Sequence, residues 1–268
     1  MSSIFKRISE VLRFANSGQS VRDKITCGLV GLATPLSATS RRPPLGMMVP
    51  DLLRIHPSRL RGMGLLINPH DWSQTIIYDE IFVGNGYDFS LVGFEPQHVV
   101  DCGGHVGMFS LLAAATFPKA KVTVFEPNPY NFARIREHCT INRLDWNCQL
   151  GAVGAKAGET RLDIVNSHHA VLSAERGVPT QVFELAAFIK GLAATSLVLK
   201  IDVEGEERSM WQELIPILPA QTVVFFETHH GSEGWSEAEK QFASNGFKAC
   251  KLVERGKFYD GYAKRITA

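Results

Sequence analysis

Asp101, Gly103, Gly104 and Gly107 stand together in the stretch HVVDCGGHVGMFSLL, and Glu126 follows about 25 residues after Asp101. A carboxylate and then glycines, at the end of an apolar β-branched run, describe a strand tip and a tight turn in front of a helix. Two classes of ligand compete for such a turn. A dinucleotide needs G-x-G-x-x-G, because its pyrophosphate rests on backbone N–H groups at a helix N-terminus. Here that register reads Cys102, Gly104, Gly107, and an acid stands in front to repel phosphate. S-adenosylmethionine carries no phosphate; it carries an ammonium and a sulfonium, for which a carboxylate at a strand tip is an asset. Asp101, Gly103 and Gly107 fit the D-x-G-x-x-x-G form of that loop, and Glu126 stands where an acid accepts both ribose hydroxyls. Glu126 also reads as a capping carboxylate for the helix behind it.

A second set of groups could move a proton. KIDVEGEE offers Lys200, Asp202 and Glu204 on one side of a strand by alternation, then Glu206 and Glu207, which read as first-turn acids of the next helix. ETHHG offers Glu227, His229 and His230. An imidazole titrates in the useful range, so His229 is the expected base, with Asp202 and Glu204 as the alternative on the neighbouring strand. No tight ligand spacing calls for a metal, although acids and histidines converge here. His168 and His169 lie in NSHHAVLS, an insertion that could overhang an acceptor.

These groups need a scaffold that brings strand ends together. From Phe94 onward the chain alternates strands (HVVDC, KVTVFEP, WNCQLGAVG, SLVLKID, TVVFFET) with helical runs and closes on FKACKLV and KFYDGYAKR. That is the pattern of a mostly parallel α/β sheet covered on both faces, whose ligands bind at the carboxyl edge. The expected organisation is a basic, partly helical appendage over 1–45, a cap segment over 46–93 and the sheet domain over 94–268. SSIFKRISEVLRFANSG has helical apolar spacing, ITCGLVGLATPL is too short to span a bilayer, and SATSRRPPLG reads as a linker.

Hydrophobic content of 45%, charged content of 21% and a mean hydropathy of −0.01 are those of a globular chain. Five cysteines without a C-x-x-C pair fit reduced thiols and a cytoplasmic protein. The formal charge of +1 hides an asymmetry, because ten Lys/Arg face three Asp/Glu in residues 1–64. That front could meet a membrane surface, another anionic partner or solvent alone.

YDEIFVGNGYDF, VVDCGGHVGMFSLLAA, VFEPNPYNFARIREHCTINRL, GAVGAKAGETRLDI, LVLKIDVEGEE and VVFFETHH, in this order, resemble the FkbM-type family of S-adenosylmethionine-dependent methyltransferases from about Tyr78 to Phe247. The resemblance implies a class I, Rossmann-like methyltransferase fold, seven strands with the last antiparallel, and O-methylation of a sugar or other small hydroxylated metabolite. Its cofactor set comprises Asp101, Gly103, Gly104, His105, Gly107, Glu126, Pro127, Asn128, Ala152 and Asp202. His105 departs from the usual form of that loop. RNA methylation and cofactor binding without turnover are the alternatives, the first weakened by the lack of an RNA-binding module. The expected partners are a small hydroxylated acceptor, no nucleic acid, a membrane surface or protein through residues 1–45, and a second copy of the chain.

Overall fold

A computed structural model describes residues 3–34, 48–164, 170–173, 176–203 and 205–266. It divides into two compact units.

The first unit comprises residues 1–88, 106–116 and 133–144. Helices α1 (Ser3–Asn16) and α2 (Val21–Ala33) pack closely because α2 presents glycine: a Cβ on Gly31 would come within 3.0 Å of the Val11 backbone. Ser20 and Asp23 cap α2 reciprocally. These helices belong with residues 48–88. Phe14 stacks on Tyr78 at 5.3 Å, the Ser17 carbonyl accepts the Ser58 N–H, and Gly18 bridges Pro57. A short hairpin, β1 (Leu53–Ile55) and β2 (Leu65–Ile67), is followed by α3 (Trp72–Tyr78), capped by Asp71. Helix α4 (Met108–Thr116) and the body of α5 (Pro129–Asn142) complete the unit. Buried His138 on α5 fastens it: its Nδ1 lies 2.8 Å from the Val106 carbonyl, and its Nε2 accepts the Leu66 N–H at 2.8 Å. Asn142 brackets Gly64, accepting its N–H and donating to its carbonyl.

The second unit carries the main sheet. Its strands begin with β3 (His98–Cys102), β4 (Lys121–Glu126) and β5 (Asn147–Leu150). A small four-stranded sheet follows, from β6 (Ala152–Gly154), β7 (Gly158–Ile164), β8 (Ala170–Ser173) and β9 (Val178–Glu184). The chain then returns through α6 (Leu185–Gly191) to β10 (Ser196–Ile201), α7 (Glu207–Leu214), β11 (Gln221–Thr228), α8 (Gly231–Ser244), β12 (Phe247–Arg255) and β13 (Phe258–Arg265).

The order across the sheet is β12-β13-β11-β10-β3-β4-β5, with β3, β4, β5, β10 and β11 parallel and β13 antiparallel to both its neighbours. Strand order therefore reverses between β3 and β10, the point at whose carboxyl ends sheets of this kind bind their ligands. All six residues of β10 are buried, so Leu197, Val198 and Leu199 are apolar on successive positions rather than alternating. One row of side chains, including Val100, Phe125, Leu199, Val224 and Phe226, packs with Leu185, Met210, Trp211 and Phe242. The opposite row is also buried, with Phe225 under Phe89 at 5.6 Å. Pro216 ends α7 in a single 3-10 turn, Ile215–Ile217. Among the described residues no helix is long and apolar enough to cross a membrane, and all five cysteines are free thiols.

Candidate functional site

The glycine turn is built around the end of β10. Gly103 has φ +81°, and a Cβ there would fall 1.9 Å from the Asp202 carbonyl oxygen. No other residue fits that close approach. The N–H groups of Gly103 and Gly104 both donate to the Phe125 carbonyl at 3.0 Å, and Asp202 N–H donates to the Cys102 carbonyl. The turn is thus tied to β4 on one side and β10 on the other. His105 is held at φ +48°. Gly107 takes φ +85° ahead of α4, in the first unit.

Glu126 ends β4 and is 5% exposed. Its two oxygens accept the N–H groups of His105 at 2.7 Å and Asn128 at 2.8 Å. Burial pushes its pKa up to about 8, against the pull of those two donors. The Asn131 side chain adds a third hydrogen bond to this carboxylate. Asn128, not Glu126, caps α5, its Oδ1 accepting the Tyr130 N–H at 3.0 Å. Pro127 joins the two, and Ala152 opens β6 as a buried residue.

Asp101 is fully buried beside Lys200, whose Nζ lies 3.4 Å from its carboxylate and 3.5 Å from that of Asp202. The ammonium also donates to the Gly103 carbonyl at 2.7 Å. Burial opposes its charge, but the two aspartates outweigh it and raise its pKa. Lys200 is therefore the internal counter-ion of the glycine turn. Alternation along β10 does place Lys200 and Asp202 together; Glu204 lies outside the described residues, as do His168 and His169.

At the end of β11, His229 is held between two carboxylates. Its Nδ1 is 3.2 Å from Glu207 and its Nε2 is 3.3 Å from Glu227. Glu207 opens α7, where a first-turn acid would ordinarily face solvent, yet it is 1% exposed. It accepts the N–H groups of His229 and Gly205, both at 2.9 Å. Burial raises its pKa, and His229 outweighs burial so that the net shift is downward. Glu227 is driven the other way, to about 10, by burial and then by Asp202 and Asp260. Asp260 is its register partner on β13. His230 faces the Gly205 carbonyl at 3.3 Å.

Sequence alone offers Lys200 as one of several groups that could move a proton, reads Glu207 as a first-turn acid of the next helix and does not mark Asp260. Glu227 and His229, two apart on one strand end, were open to the same alternation that paired Lys200 with Asp202. Asp260 becomes visible only with the β11–β13 pairing, and nothing in the sequence marks Glu207 as turned inward.

A sheet in this order, with one antiparallel strand and acids at the ends of β3 and β4, is the class I S-adenosylmethionine-dependent methyltransferase fold. Within that class the chain is similar to FkbM-type methyltransferases, as the order of its motifs implied. It is 29% identical over 170 residues to 31-O-demethyl-FK506 methyltransferase FkbM of Streptomyces tacrolimicus, covering 49% of this chain and 65% of that one. It is 24% identical over 165 residues to Methyltransferase 1 of Beauveria bassiana, covering 52% of this chain and 66% of that one. These matches span just under two thirds of either relative. The crystal structure of methyltransferase FkbM from Methylobacillus flagellatus aligns over 97% of this chain and 59% of its own, at 13% identity and a TM-score of 0.47. No protein-family profile matches the chain.

Proposed function

We propose that the protein transfers a methyl group from S-adenosylmethionine to a hydroxyl of a small sugar or natural-product acceptor. The observation that carries this reading is Glu126, a buried carboxylate at the end of β4 fixed by two backbone N–H groups and the Asn131 side chain, with acceptor capacity left for a ribose hydroxyl. The glycine turn beside it is held against the Asp202 carbonyl, a contact only glycine allows, and this fixes the backbone next to Glu126. Bound there, the cofactor supplies an electrophilic methyl group. This chain's residues do the rest. Glu126 holds the ribose, the turn pinned by Lys200 fixes the depth of the site, and Asp101 and Asp202 set a negative field toward the cationic end. The ends of β10 and β11 line the acceptor side, where Asp202, Glu227 and His229 converge and the acceptor proton departs. The acceptor oxygen forms its bond to the methyl carbon as the sulfur–carbon bond breaks, and the electron pair returns to sulfur. Alignment of the reacting atoms carries most of the rate. The acceptor is read as a small molecule, with a membrane surface or a second copy of the chain as further contacts of the basic front.

Calorimetry with S-adenosylmethionine and its demethylated product tests the cofactor. Glu126→Gln and Glu126→Ala are expected to weaken both ligands roughly ten- to a hundredfold, the loss of about 1.5–3 kcal/mol. Unchanged dissociation constants in folded variants overturn the assignment.

A further inference from the structure

One carboxylate oxygen of Asp202, one of Glu227 and an imidazole nitrogen of His229 lie within 4.8 Å of one another. We propose that these three side chains bind a divalent cation of the Mg²⁺ or Mn²⁺ type, which receives the oxygen of the acceptor. The inference rests on the methyl-transfer reading above and names what makes the acceptor hydroxyl acidic.

Geometry comes first. His229 Nε2 is 3.3 Å from Glu227 Oε1, close to the separation of about 3.0–3.4 Å between two ligands at right angles on an ion bonded at about 2.1–2.4 Å. The second argument is the orientation of the ring. Glu207 is buried and accepts only, so the hydrogen bond at Nδ1 places the proton there and leaves Nε2 a lone pair aimed at Glu227. Nε2 and the Glu227 carboxyl then meet across a gap that is filled either by the proton of that carboxyl or by a cation that displaces it. A carboxylate that orients a histidine for a metal is the usual outer-shell arrangement around such ions. The third argument is charge. Among the described residues of this edge, Asp101, Asp202, Glu207, Glu227 and Asp260 are opposed by Lys200 and Arg255. Lys200 is shared between Asp101 and Asp202, and Arg255 between Glu227 and Asp260, so two cations meet five carboxylates and the cluster keeps a surplus of negative charge. A single proton removes only one unit of it.

Two carboxylates and one imidazole form a mostly hard donor set, which suits Mg²⁺ or Mn²⁺. Three octahedral positions remain for water and the acceptor. A hydroxyl bound to the ion loses its proton to water more readily, and its oxygen then attacks the methyl carbon as the sulfur–carbon bond breaks. His229 is thereby a ligand, and the proton-accepting role expected of it from sequence passes to solvent.

Full-length protein stripped with a chelator and titrated with Mn²⁺, read by electron paramagnetic resonance, tests this directly. One ion per chain is expected, with Glu227→Gln and His229→Ala each weakening it by about tenfold or more. Glu207→Gln, which touches no ion, is expected to weaken it roughly 10- to 100-fold by releasing the ring. Exposed Glu233→Gln is expected to change nothing, and near-ultraviolet circular dichroism confirms each fold. No Mn²⁺ binding, or equal binding by the wild type and the three site variants, overturns the site. Calorimetry of S-adenosylmethionine on the same samples separates the two readings: cofactor binding without an ion site overturns the cation alone, and an ion site without cofactor binding overturns methyl transfer alone.

Discussion

In the first unit, the ring of His138 ends on the backbone of Leu66 and Val106, and Asn142 ends on both polar groups of Gly64. In the second, buried Lys200 reaches two carboxylates as well as a carbonyl, and His229 reaches two more acids. Both units bury polar groups. The first uses neutral ones that close on local backbone, whereas the second gathers charges at one edge of a sheet. A neutral group satisfied by backbone fixes a chain crossing. Converging charges do not improve on well-packed apolar residues as a means of stability, so their concentration marks an edge kept for a ligand.

Gly103→Ala should break this contrast most severely, because its Cβ would overlap the Asp202 carbonyl and φ is positive. A loss of roughly 5 kcal/mol and a melting temperature lower by roughly 10 °C are expected in thermal unfolding. Lys200→Met leaves Asp101 charged and buried, which should cost about 3–5 kcal/mol in urea unfolding. Asp101→Asn added to it should recover most of that loss; a double variant no better than the single one would show that charge is not the cause. His138 provides the neutral counterpart. Burial lowers its pKa to about 4 from an ordinary 6.5, so its contribution is fully present above 6.5 and is lost as pH falls through 4. About 3 kcal/mol should disappear over that window, and His138→Gln should flatten the pH dependence. Arg13→Ala removes an exposed pair with Asp79 and should cost less than about 1 kcal/mol, and less still at high salt.

Much of the sheet was legible because parallel strands announce themselves. HVVDC, SLVLKI and TVVFFET are apolar on successive positions, and the acids and glycines at their ends needed no partner to be seen. The β1–β2 hairpin was not legible: three-residue strands are too short to show alternation. Nor was the union of α1 with residues 48–88, which turns on Phe14 meeting Tyr78 across more than sixty positions. The residues proposed for the cofactor lie within short motifs and could be named from sequence. The cluster at the ends of β10 and β11 depends on register and on helix placement: Asp260 comes from a neighbouring strand, and Glu207 differs from an ordinary first-turn acid only in the direction it faces.

Glu207 also couples two loops. One carboxylate takes the N–H of Gly205 after β10 and the N–H of His229 after β11. Both hydrogen bonds depend on one buried side chain, so each loop loses an anchor when that side chain moves. Displacing that side chain frees both amides at once, so in hydrogen exchange the two, though they belong to separate loops, are expected to open with similar free energies.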